Sequence, residues 1–173
     1  MIVKELLRWR PPAPGSFPHA LAKVLPKGAA VVLNVWGIHH DPDRYHDPST
    51  FSPSRFAHLP QLASVYANSL DPDQRDHFGY GIGRRICPGI HLAERALFVA
   101  IAKMLWAFTV QPQTDKQGHP IELDVSPERA YSDGFLNQCR PFGVDIKPRS
   151  EQRQQVILTA AAKAEVDIFS QYT

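Results

Sequence analysis

Cysteine is scarce in this chain: Cys87 and Cys139 are the two among 173 residues. They form no Cys-x-x-Cys pair and no zinc spacing, and two cysteines so far apart make no disulfide scaffold. A reducing setting with at least one free thiol is expected. An excess of one charge sign is also lacking, since 19 basic and 17 acidic residues leave a net charge of +2. Nucleic-acid recognition needs a clustered basic face, so no nucleic-acid partner is expected. No long hydrophobic run is present. Ala96 to Phe108 is interrupted by Lys103 and is too short to span a bilayer. The opening Met-Ile-Val-Lys-Glu carries no signal-peptide pattern. The chain as written is therefore expected to lack a membrane anchor and to be soluble. Repeats and low-complexity tracts are absent too.

What remains is globular in composition, at 43% hydrophobic and 21% charged, and long enough for a core. Sixteen prolines crowd residues 11–60 and the flanks of later segments. Proline is excluded from helix interiors and central strands, so residues 11–60 should hold short elements in irregular chain. Long irregular stretches of this kind usually wrap something.

Val3 to Arg10 has helical spacing and is stopped by Pro11-Pro12. A helix that begins almost at the first residue suggests a piece of something longer. Ala29 to Ile38 is β-branched and aromatic, which predicts a buried strand. Phe51 to Phe56 reads as extended, and residues 57–77 as loop. From Pro88 to Phe108 the pattern is helical and apolar on nearly all sides, which predicts a helix buried all round. So little other helix is available to bury it that a missing portion is again suggested. Thr109 to Arg149 predicts a β-hairpin, and Glu151 to Tyr172 a closing surface helix. Trp36, Trp106 and the phenylalanines are expected in the core.

The chemistry concentrates at Phe78-Gly-Tyr-Gly-Ile-Gly-Arg-Arg-Ile-Cys-Pro-Gly89. A cysteine serves as core filler, nucleophile, redox thiol or metal ligand. Gly79, Gly81, Gly83 and Gly89 surround Cys87. Such glycine density suits a tight turn or the close approach of something flat. Pro88 suits the first helical position, which would put Cys87 at the N-cap of the long helix. The free N–H groups and dipole there stabilise a thiolate, and Arg84 and Arg85 add positive charge. A thiolate with glycine clearance and arginine for an anion fits haem, which is flat, needs an axial ligand and carries two propionates. A thiol-based redox or hydrolytic site using His77 or His91 as base would leave the glycines unexplained.

The segment Tyr80 to Gly89 resembles the haem-binding loop of cytochrome P450 enzymes, whose pattern is Phe-x-x-Gly-x-Arg-x-Cys-x-Gly. Gly83, Arg85, Cys87 and Gly89 match in register, and Tyr80 stands where the family usually has Phe. Glu5-Leu-Leu-Arg8 resembles the Glu-x-x-Arg of the family's K helix. Phe51-Ser-Pro-Ser-Arg55-Phe56 resembles its Phe-x-Pro-Glu-Arg-Phe segment, with Ser54 in place of the glutamate. The loop wording is most similar to fungal secondary-metabolism members, and the resemblance covers essentially the whole chain.

The resemblance implies a mainly α fold with small β-hairpins (α+β), the C-terminal part of the P450 fold from K helix through L helix to the closing helix. It implies one partial domain over residues 1–173, with the N-terminal anchor and the I helix absent. Only Leu21 to Leu25 joins His19-Ala20 to Pro26-Lys27-Gly28, where the family usually has an extra acidic turn and strand, which implies an internal deletion or a misread splice junction. The cofactor would be haem b (iron protoporphyrin IX), with Cys87 as axial iron ligand. Arg85, Gly81, Gly83, Gly89, Tyr80 and His19 would complete its binding, His19 at a propionate. Glu5, Arg8 and Arg55 would form a structural charged triad. Phe17 and Phe135-Leu136 would face substrate. The His39, His40, Asp41, His46, Asp47 cluster follows no metal spacing, and similar wording in the family carries no metal. The implied function is monooxygenation, one atom of O2 entering an apolar organic substrate, with NADPH-cytochrome P450 reductase docking on the Cys87 side. Arg84 and Lys103 would steer it. The family usually sits at the endoplasmic-reticulum membrane. The alternative is a truncated remnant without turnover.

Overall fold

In a computed structural model, residues 1–20, 26 and 28–171 are described. The link Leu21 to Leu25, where a deletion was expected, lies outside them, as does the side chain of His19. Two units are present: Met1–Phe98 with Asp124–Arg140, and Val99–Leu123 with Pro141–Thr173.

The first unit opens with α1 (Ile2–Trp9). Its buried face is charged rather than apolar: Lys4, Glu5 and Arg8 lie inside beside Leu7. Such burial persists only where every charge is met, and here it is. Arg8 Nε and Nη2 each donate to the Glu5 carboxylate at 2.8 Å. Arg8 Nη1 donates to the carbonyls of His39 and Pro48. Lys4 Nζ donates to Leu59 O at 2.8 Å and lies 3.2 Å from Asp76 Oδ2. This helix therefore acts as a polar hub that draws distant loops onto itself.

A two-residue antiparallel pair follows, β1 (His19–Ala20) against β2 (Ala30–Val31), with His19 opposite Val31. The strand expected through Ile38 stops early. Residues Val35–His39 instead form α2, with Asn34 as N-cap accepting from Gly37 N–H at 2.9 Å. The β-branched run favours a strand, but the cap competes locally and wins. A Cβ on Gly37 would stand 2.6 Å from Asn34 Nδ2, so the capped turn requires glycine there. The Asn-x-x-Gly spacing was the overlooked cue.

Phe51 to Phe56, expected extended, contains a 3-10 turn at Pro53–Phe56. The expected loop at 57–77 contains the short α3 (Ala63–Tyr66) and a second 3-10 turn, Pro72–Gln74. A third, Gly83–Arg85, lies inside the cysteine loop.

The long helix is α4 (Ile90–Ala107). It buries Ile90, Glu94 and Ala107, and Glu94 accepts from the N–H groups of Ala63 and Ser64, so it caps α3. The expectation that α4 is buried on all sides fails. Leu92 is 76% and Phe98 62% exposed, and Met104, Leu105 and Trp106 are open as well. Apolarity on every face predicts cover, and among the described residues no element supplies it. No described helix is long and apolar enough to cross a membrane.

In the second unit, β3 (Phe108–Pro112) pairs antiparallel with β4 (Val144–Pro148), Val110 opposite Ile146. This is the expected hairpin in topology, closed by a long excursion rather than a tight turn. Arg149 donates to the carbonyls of Leu105 and Phe108, and Arg153 to that of Trp106. Cations thus satisfy the carbonyl end of α4, where the helix dipole favours them. The closing helix is α5 (Glu151–Asp167), N-capped by Ser150 accepting from Arg153 N–H.

Candidate functional site

The cysteine loop is folded by its own backbone. Gly81 N–H donates to Phe78 O at 2.9 Å, and Cys87 N–H to Tyr80 O at 2.9 Å. Those bonds turn the chain back on itself, with Gly81 at φ +84° and Gly83 at φ +61°. Side chains other than glycine are strained in that region. Arg75 Nη2 donates to Gly81 O at 2.9 Å and braces the bend from outside.

Cys87 carries a free, exposed thiol. It does not cap α4 as expected. The helix begins at Ile90, and the Gly89 carbonyl accepts from Leu92 and Ala93. Cys87 and Pro88 belong to the turn before it, because the Ile90 N–H reaches back to the Cys87 carbonyl at 3.3 Å. Gly89 lies against the sulfur, since a Cβ there would be 3.7 Å from Cys87 Sγ.

The thiol opens on a cavity of about 740 Å³. Ala13, Phe17, Val31, Val32, Leu33 and Val35 contribute apolar lining, and Ser16, Gly79 to Ile82, Arg84, Arg85, Cys87 and Pro88 the rest. The loop residues expected at a haem, Tyr80, Gly81, Arg85 and Cys87, thus share one space; Gly83 and Gly89 shape the same loop. Phe17 packs on Phe135 with ring centroids 4.9 Å apart. Of His19, only the backbone is described, in β1.

The donor set suits haem. One soft sulfur faces a cavity that is otherwise mainly apolar, with two guanidinium groups, Arg84 and Arg85, on its lining for carboxylates. Tyr80, where phenylalanine is usual, brings a hydroxyl that is buried and has no hydrogen-bond partner among the described residues. Burial, reinforced by the charges of Glu94, Cys87 and Asp76, pushes its pKa up to about 12.

Glu5, Arg8 and Arg55 come together. Glu5 and Arg8 form the two-pronged pair described above, and Arg55 Nε lies 3.5 Å from Glu5 Oε2. The remaining Arg55 donors reach the carbonyls of His46, Asp47 and Thr50. Ser52 N–H adds a bond to Glu5 Oε1 at 2.8 Å.

Of the histidine-aspartate cluster, His39 is fully buried and its ring nitrogens are engaged, Nδ1 with Arg8 O and Nε2 with Phe78 N–H. Among the described residues no group of three His, Cys, Asp or Glu is placed to hold a metal. Trp36 stacks on His40 at 3.7 Å and is only partly buried, while Trp106 is 46% exposed rather than in a core. Sequence reasoning missed Lys4, Asp76, Arg75 and Glu94, whose burial nothing in the local pattern announces.

Comparison with known proteins identifies the family. The cytochrome P450 family model matches residues 1–132. A cytochrome P450 monooxygenase, anuE of Penicillium roqueforti, is 66% identical over 99% of this chain and 36% of its own length. The monooxygenase yanC of Aspergillus niger is 49% identical over 99% of this chain and 33% of its own length. A zebra fish cytochrome P450 solved with abiraterone superposes with a TM-score of 0.63 at 26% identity, over 86% of this chain and 32% of that one. The chain therefore spans about a third of the length of these relatives. The family match spans α1, the cysteine loop and α4, and the chain belongs to the cytochrome P450 family.

Proposed function

We propose that this chain is the haem-thiolate portion of a monooxygenase that places one oxygen atom from O2 into an apolar organic substrate in fungal secondary metabolism. The observation that carries the reading is the free Cys87 thiol opening on a mainly apolar cavity whose lining includes Arg84 and Arg85. Cys87 would ligate the iron of haem b, and Arg85, with His19, would meet the propionates. Gly81, Gly83 and Gly89 keep side chains out of the way, and Tyr80 packs beside the loop. Thiolate ligation supplies the electron donation that favours O–O cleavage. The chain's own work is to hold that sulfur: Glu5, Arg8 and Arg55 fix α1 to its loops, and the loop hangs from that assembly. Electrons would arrive from NADPH-cytochrome P450 reductase, and the intact enzyme would act at the endoplasmic-reticulum membrane.

A second reading, that the chain alone has no turnover, is favoured by one observation. Large apolar side chains of α4, Leu92 and Phe98 foremost, stand in solvent, where a working fold covers them.

The test is the carbon monoxide difference spectrum of the purified full chain, reconstituted with haem and reduced. The expected result is the red-shifted Soret band of a thiolate-ligated ferrous carbonyl, kept in Cys139→Ala and lost in Cys87→Ala. Loss in both variants, or retention in Cys87→Ala, overturns the ligand assignment. Turnover measured in the same sample with reductase and O2 separates the active reading from the inactive one.

A further inference from the structure

Two buried histidines lie behind the cysteine loop and belong to none of the roles above. His39 comes from the end of α2 and His77 from the residue just before the loop. Both are almost without solvent contact, at 0% and 3% exposure. Their rings stand perpendicular, 6.1 Å apart.

Each gives a lone pair to the loop backbone. Phe78 N–H donates to His39 Nε2 at 2.8 Å, and Gly79 N–H donates to His77 Nδ1 at 3.1 Å. Because these are N–H donors, the accepting nitrogens carry no proton. The proton of His39 is then on Nδ1, where it faces Arg8 O at 3.1 Å. The proton of His77 is on Nε2, 4.0 Å from Asp76 Oδ2. Both ring nitrogens of His39 are thus matched, whereas His77 is matched at Nδ1 and its Nε2 makes no hydrogen bond among the described residues.

The bonds connect the loop to the charged hub. Arg8 receives His39 at its own carbonyl and donates Nη1 to the His39 carbonyl at 2.8 Å. From Phe78 the path runs on: its carbonyl accepts from Gly81, and the Tyr80 carbonyl accepts from Cys87. The route from Arg8 to the Cys87 backbone thus consists of hydrogen bonds and a few residues of loop. The fit at Gly79 is close, since a Cβ there would stand 3.2 Å from His77 Nδ1 and 3.7 Å from Leu7 Cβ.

We propose that His39 and His77 are positioning residues that grip the first two amides of the cysteine loop and thereby set where the Cys87 sulfur stands. The idea rests on Cys87 as the functional sulfur of the proposed haem site. It adds a way in which α1 and α2 control that sulfur without touching it. Both grips work only with neutral rings. Burial holds both histidines below their ordinary pKa; at His39 the charges of His77, Arg8 and His40 reinforce it and the Arg8 carbonyl opposes it, and at His77 Asp76 opposes it while Lys4 and Arg75 reinforce it.

The experiment uses the full chain without haem, in a Cys139→Ala background that leaves Cys87 as the one thiol. Amide exchange at Phe78 and Gly79 and the alkylation rate of Cys87 by iodoacetamide are read together. His39→Leu and His77→Leu should speed exchange at the paired amide about tenfold, the scale of one lost buried hydrogen bond. They should also change the Cys87 alkylation rate at least about threefold. Rescue distinguishes positioning from mere filling. In His39→Gln the side-chain oxygen takes the place of Nε2, and in His77→Asn it takes the place of Nδ1. Both should return to wild-type values. Leucine variants that behave as wild type, or amide variants as altered as leucine, overturn the proposal. If the leucine variants do not fold, the amide variants decide alone: wild-type exchange and alkylation support the proposal, and departures of about tenfold in exchange or about threefold in alkylation overturn it. A wild-type chain with no thiolate Soret band would defeat the haem reading and leave these haem-free readouts in force.

Discussion

Glu5 and Arg8 show what a single pair of residues does for this fold. Both side chains are fully buried, and both carboxylate oxygens and all the Arg8 guanidinium nitrogens are used. A buried pair is weak evidence of net stabilisation against an apolar replacement, because desolvation opposes the attraction. Breaking it from one side is another matter, since the remaining charge stays inside without a counterion. Glu5→Gln keeps the shape and removes the charge that Arg8 and Arg55 face. It should cost about 3–5 kcal/mol in urea unfolding, with the loss followed by Trp9 fluorescence, because Trp9 Nε1 is held by Ser49 O at the same junction. A loss under about 1 kcal/mol would mean that Arg8 is met well enough by carbonyls alone. At this scale the sequence was most informative. Glu5, Arg8, Arg55 and the Cys87 loop were all visible as spaced motifs. His39 and His77 were visible only as residues, because their value depends on which amide each ring meets, and that is set by folding.

Among the elements, legibility followed the strength of local signals. The helix stopped by Pro11-Pro12 and the long α4 were plain from periodicity and breakers, and α5 from its helix-favouring composition. At 29–38 the structure departs from the expected strand because side-chain composition and capping point to different structures there. Valines and isoleucine favour a strand, but Asn34 and Gly37 close a helical turn three residues apart. The outcome matters to the site, since α2 carries Val35 into the cavity lining and His39 to the loop. Asn34→Ala removes the acceptor for Gly37 N–H and should cost about 1 kcal/mol. The change should appear as altered emission of Trp36, whose indole stacks on His40 only while the turn is closed. An unchanged thermal midpoint with unchanged Trp36 emission would show that the turn is held by the bonds from Trp36 N–H to Pro14 O and from Leu33 N–H to Ser16 Oγ instead.

For the molecule as a whole, burial of titratable groups sets the pH range in which it is stable. His39, His40 and His77 all lie below their ordinary value of 6.5, in each case chiefly through burial. A histidine that stays neutral when folded and takes a proton when unfolded makes the unfolded state the better proton binder. Stability then rises with pH through that range, so the contribution is complete above 6.5 and is lost as pH falls below it. Each such group adds a slope of up to about 1.4 kcal/mol per pH unit until its folded-state pKa is reached. The tyrosines act at the other end. Burial raises Tyr45 above its ordinary value of 10.0 and Tyr80 to about 12. Between pH 10 and 12 the unfolded chain gives up protons that the folded chain keeps, so stability falls as pH rises. Unfolding midpoints in urea across pH 5 to 11 should therefore form a plateau bounded by the histidines below and the tyrosines above. Replacing the loop grips by His39→Gln and His77→Asn should flatten the acid limb and leave the alkaline limb in place. An acid limb of unchanged slope in that double variant would assign acid loss to groups other than these rings. Tyr80→Phe offers the matching control, removing the unpartnered hydroxyl and shortening the alkaline fall without moving the acid one.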